Sequence, residues 1–213
     1  MKLIFYIISF FLISSATHAH TYTGMIGFYD GLSHPVLGFD HFLAMVSVGI
    51  ISAQIGGRAI WTIPSTFVII MIVGGLIGIY AEMNQLLKSS ALNEIDQTFI
   101  FADFLYLLIE IGILVSVITL GLVIAIEKKL PLGITMIFVG IFGFFHGSAH
   151  GLEMPWAANP FLFALGFATG TTTLHIFGVI IGYFSIKTKF STIILKMTGI
   201  CFAGIGIYSL ITL

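Results

Sequence analysis

The chain has 213 residues, 58% of them hydrophobic and 8% charged, with a net charge of -1, whereas soluble domains carry roughly 25% charged residues. This composition excludes a soluble globule, and with no basic cluster it suits neither nucleic acid nor another polyanion. The single cysteine, Cys201, excludes an intramolecular disulfide and a thiolate metal cluster within one chain.

Residues 1–19 carry Lys2, an apolar core over 3–13 and a polar end in which Thr17 and Ala19 are small. They predict a secretory signal peptide cleaved after Ala19. The alternative, an uncleaved first helix, has a short apolar core for a span. The remainder, 20–213, reads as one all-α domain, a polytopic bundle of about six transmembrane helices. Residues 20–33 are a polar, glycine-containing external lead, with Asp30 one helical turn before His34. Spans are predicted over about 34–54, 59–80, 104–126, 131–153, 160–184 and 193–213, with Pro64 in the first turns of the second, where proline is tolerated. Much of the charge lies in 82–103, which reads as an external loop with room for a short interfacial helix. An external mature N-terminus places Arg58, Lys128, Lys129, Lys187 and Lys189 in cytoplasmic turns and only Lys88 outside. That distribution follows the positive-inside rule. Gly74 with Gly78, Gly166 with Gly170, and Gly178 with Gly182 are small-xxx-small pairs that allow close helix approach.

On that topology, His34, Asp40 and His41 occupy the outer half of the first span. If the helix is continuous, the two histidines, seven residues apart, share a face with Asp40 beside them. His146 and His150 lie one turn apart at the outer end of the fourth span, as HxxxH metal ligands do, and Glu153 extends their side. Glu110 is about two turns inside the third span, and His175 is near the middle of the fifth. For the first stretch alone, a wetted helix N-terminus with Asp40 at the dipole's positive end is an equal reading. Taken together, four histidines and two carboxylates at one depth predict a divalent transition-metal site, because intramembrane ionisable groups face cavities, ion paths or one another. Glu110 and His175 read either as an inward path or as satisfied interior hydrogen-bonding groups.

HPVLGFDH fits the pattern H-x5-D-H, and FHGSAHGLE fits F-H-G-x-A-H-G-x-E. Together they resemble the two signatures of the HupE/UreJ family of hydrogenase and urease accessory membrane proteins. AMVSVGIISAQIGGRAIW, the stretch opening at Glu110 and the LHIFG run around His175 extend the likeness over essentially the whole chain. The resemblance implies a permease for nickel or cobalt in the bacterial cytoplasmic membrane, with no prosthetic group. It also implies an indirect link to the maturation of nickel enzymes. By that match His34, Asp40, His41, His146, His150 and Glu153 carry over as metal residues. No G-x-x-x-x-G-K-[ST] loop is present, which fits a carrier or channel and not an ATP-driven pump. Two other readings stay open: a membrane zinc metallohydrolase using the same residues, and haem held between facing histidines.

Overall fold

A computed structural model describes residues 27–91, 96–127, 130–154 and 159–213. Their backbone forms seven helices, α1 (Phe28–Leu37), α2 (Phe39–Ile55), α3 (Ala59–Ala91), α4 (Asp96–Ile126), α5 (Leu132–Leu152), α6 (Pro160–Ser185) and α7 (Lys189–Ile211). No strand occurs among the described residues. Five helices are long and apolar enough to cross a membrane, over Ala59–Asn84, Phe104–Ile126, Leu132–Leu152, Pro160–Ser185 and Lys189–Ile211. The pair α1 and α2, bent by 86° at its break, makes a sixth if the two are counted as one span. The chain is therefore an all-α membrane bundle, as its composition requires. The predicted signal peptide, residues 1–19, lies outside the described residues.

Two expectations are corrected. The first span is not one straight helix over 34–54, and part of the predicted external lead is helical, since α1 already starts at Phe28. Pro35 supplies no amide to the turn before it. Gly38 is then extended at φ -80° and ψ 110°, and its N–H reaches the His34 carbonyl only at 3.4 Å. The helix restarts at once, with Phe42 N–H donating to the Gly38 carbonyl at 2.8 Å. At the far end of α1, the Gly27 N–H is capped by Asp30 Oδ2 at 3.1 Å. The second correction concerns 82–103: α3 continues to Ala91 and α4 begins at Asp96, so most of the supposed loop is helix.

The helices associate as three close pairs, α3 with α5, α6 with α1 and α2, and α4 with α7. Small residues set each approach, as expected where lipid supplies no hydrophobic drive between helices. Gly143, Gly147 and Gly151 on α5 face the carbonyls of Phe67, Met71 and Gly75 on α3, so that a Cβ at any of the three would press on backbone. Gly74 and Gly78 answer from α3 against the carbonyls of Phe144 and Ser148. In the second pair, Gly31 meets the Phe163 carbonyl, Gly166 that of Phe28, Gly178 that of Val46, and Gly49 that of His175. In the third, Gly121 and Gly199 approach each other's carbonyls. The ends are also tied: Lys196 Nζ lies 2.8 Å from Glu127 Oε2, and Asn159 caps α6 by accepting from Phe161 N–H at 3.0 Å. The faces between the first two pairs are where the histidines gather.

Candidate metal centre

The bend at Gly38 separates the two ligand groups of the first motif and sends each to a different neighbour. His34, at the end of α1, meets the C-terminal turn of α5: its ring centroid is 4.6 Å from that of His150, and its Nε2 is 3.3 Å from Glu153 Oε2. One nitrogen from each histidine and one Glu153 oxygen all lie within 4.8 Å of one another. Side-chain rotation can close three such groups toward the 2.0–2.2 Å bonds typical of a divalent metal such as zinc. Glu153 sits just past the helix end, its N–H donating to the Ala149 carbonyl at 3.0 Å, so its side chain is free of the α5 barrel and reaches outward.

His41 comes from the first turn of α2. Its own amide and its Nδ1–H both donate to Asp40 Oδ1, at 2.9 and 2.8 Å. Asp40 thereby uses a first-turn position to hold the imidazole with its Nε2 presented, which is the carboxylate–histidine arrangement seen behind metal ligands. The His41 ring lies 4.4 Å from His150 and 4.9 Å from His146 between centroids. On α5 the His146 Nδ1–H donates to the Phe142 carbonyl one turn back at 2.8 Å, and on α6 the His175 Nδ1–H donates to the Met45 carbonyl at 3.0 Å. Each of these three bonds fixes the tautomer that leaves a lone pair on Nε2. The Nε2 atoms of His41, His146 and His175, and both ring nitrogens of His150, are buried without a hydrogen-bond partner among the described residues. An unpaired buried polar group costs about 1–3 kcal/mol and calls for an explanation such as a water or an ion.

Exposure falls along the file. The side chains of Glu153 and His34 are 46% and 29% accessible, whereas the residues His41, His150, His146 and His175 are 8%, 3%, 0% and 1% accessible. Accessible oxygen and nitrogen donors thus form a mouth, and nitrogen donors alone continue inward. The structure brings the predicted residues close to one another, with two exceptions. Asp40 orients His41 and stands outside the nearest cluster of candidate ligands. Glu110 does not join His175: it lines, with Asp40 and Phe39, a cavity of about 280 Å³ between α2, α4 and α7, whereas His175 lines another of about 310 Å³ between α3 and α6.

Several contributors escaped the sequence reading. Phe67 packs against both His146 and His175, with centroids 5.4 and 5.1 Å away, and Phe167 covers His150 at 4.1 Å. Neither carries a local signal among 21 phenylalanines. The glycines following His146 and His150 did carry one, because Gly143, Gly147 and Gly151 repeat every four residues. Gly38 also shapes the centre, since a Cβ there would lie 2.9 Å from His41 Nδ1. We expect Gly38→Ala to push the imidazole off Asp40, with thermal stability little changed, and, if the centre holds a divalent metal, to weaken that binding by the purified protein at least severalfold. Wild-type affinity in a correctly folded variant would show that the His41 position is not set there.

A polytopic membrane protein whose interior carries a file of buried histidines is the class that this fold and site define. The sequence matches the family profile described as HupE / UreJ protein over residues 8–85 and 98–209. It is also 38% identical, over 165 residues, to Protein HupE of Rhizobium leguminosarum bv. viciae, a match covering 78% of this chain and 75% of that protein. The chain belongs to the HupE/UreJ family. Both histidine motifs fall within the matched segments, and the gap at 86–97 coincides with the junction of α3 and α4. No solved structure matches the chain.

Proposed function

We propose that the protein is a permease carrying nickel, with cobalt as the alternative cargo, across the bacterial cytoplasmic membrane toward nickel-enzyme maturation. The observation that carries this reading is the graded file of imidazoles, donors accessible at one end and buried, unpaired Nε2 atoms at the other. In it the ion is captured by His34, His150 and Glu153, exchanges part of its water for nitrogen, and passes to His41 and His146. His175 is the next nitrogen inward, and Glu110, beside Asp40, adds negative charge behind the file. Imidazole and carboxylate donors suit nickel and cobalt as well as zinc, so the donor set supports a transition metal over magnesium or calcium.

Orientation follows from charge. With the mature N-terminus outside, the Arg58 turn and the Lys187 and Lys189 end of α6 face the cytoplasm, and the His34 mouth opens outward. A divalent ion moving inward then gains about 4.6 kcal/mol per 100 mV of membrane potential, twice the value for one charge. Fully coupled, that supports roughly thousandfold accumulation without ATP.

The test is uptake of radioactive nickel and cobalt by cells lacking their own nickel importers, at matched expression of wild type, His41→Ala and His146→Ala. The expected result is accumulation by wild type and its loss in both variants, with the nickel-to-cobalt ratio reporting specificity. Uptake by correctly inserted wild type no greater than in empty cells would overturn the permease reading. A zinc metallohydrolase would then be the stronger account, and hydrolytic turnover by the purified protein its signature.

A further inference from the structure

We propose that the ring of Phe67 is the closed partition between the outward histidine file and the inner half of the protein, and is the group a metal must displace to reach His175. The proposal rests on the permease reading and adds the step at which passage is controlled. Phe67 is fully buried, and its ring touches both His146 and His175. Each of those histidines has its Nδ1–H committed to a backbone carbonyl and an Nε2 without a partner among the described residues. Two nitrogens able to take a cation therefore belong to rings that both pack against one apolar ring. Beyond it, His175 lines the cavity of about 310 Å³ that reaches Ile60 and Trp61, next to the Arg58 turn. A phenyl face offers no donor that replaces the water or imidazole of a transition metal.

The surroundings also say what moves. At Gly143 a Cβ would lie 2.7 Å from the Phe67 carbonyl and 3.3 Å from its Cα, so α3 and α5 touch through their backbones there. The backbone of His175 is likewise pressed against Gly49 of α2. With both backbones held, the ring itself is the movable part. Rotation about its side-chain torsions opens the passage without parting the helix pairs.

Two measurements test this, one independent of transport. In a Cys201→Ser background, His175→Cys is exposed in intact cells to a small, membrane-impermeant cationic thiol reagent. The thiol should react slowly with Phe67 present and at least an order of magnitude faster with Phe67→Leu. Fast reaction with Phe67 in place, or equal rates in the two backgrounds, would overturn the partition. The second is the initial rate of radioactive nickel uptake per folded protein, with His175 intact: several-fold higher in Phe67→Leu and several-fold lower in Phe67→Trp than in wild type. Equal rates in all three, or a similar fall in both variants, would make Phe67 a packing residue only. Labelling that depends on Phe67 in a protein whose wild type moves no nickel would sink the permease reading and leave the partition standing.

Discussion

Alanine at His150 is expected to abolish nickel uptake while leaving the metal-free protein about as stable as wild type. His150 is the link of the file, its ring within 4.6 Å of His34 and 4.4 Å of His41, so its loss separates the mouth from the interior. Two opposing terms govern stability. Truncation removes packing against Phe167 and leaves a cavity, a cost of about 2–5 kcal/mol. It also removes two buried nitrogens with no hydrogen-bond partner among the described residues, each a burden of about 1–3 kcal/mol. These terms are of similar size and opposite sign. Nickel at a hundred times its dissociation constant should stabilise wild type by about 2.7 kcal/mol, and that increment should vanish in the variant. Thermal unfolding in detergent with and without nickel, beside uptake, reads both quantities. A variant that is strongly destabilised without metal yet still transports would identify His150 as a packing residue.

Alanine at Gly147 has the largest expected effect on the fold. The added Cβ would run into the Met71 carbonyl and come within 2.9 Å of the Gly75 amide, neither of which can yield without parting α3 from α5. Overpacking of this kind costs about 1–3 kcal/mol or more. Alanine is otherwise the better helix former by about 1 kcal/mol, so any loss belongs to the contact. Because Gly147 adjoins His146, the same separation moves His146 away from Phe67. Gly133→Ala, on the same helix with nothing within 4 Å of the new Cβ, is the control and should match wild type. Melting temperature and the monodisperse fraction on size exclusion distinguish the two. Equal behaviour of the variants would mean that the α3–α5 approach is not limiting.

The sequence displayed the bundle because spans of about 20 apolar residues are a direct consequence of bilayer thickness. It displayed the α5 half of the centre because His146 and His150 are one turn apart on an unbroken helix, where spacing alone fixes the face. The α1–α2 half was harder. His34 and His41 would share a face of a straight helix, but Pro35 and Gly38 bend the chain by 86°, and the two residues reach His150 from different helices. Their convergence is tertiary, although the breakers were in plain view. The helical character of 82–91 and 96–103 was hidden because charge density says little about helix ends. Phe67 was beyond reach altogether, since its packing against two histidines arises only when α3, α5 and α6 pack. Glu110 and His175 looked like one path because depth along a span is readable from sequence, whereas the side of the bundle a residue faces is not.

Whether the buried histidines hold the metal is read most directly by equilibrium dialysis of the purified protein against radioactive nickel. Wild type is compared with a His41→Ala, His146→Ala, His150→Ala triple variant that elutes as folded protein. Saturable binding by wild type and its loss in the triple variant is the expected result. Equal saturable binding by the two proteins would place the metal elsewhere, away from these histidines.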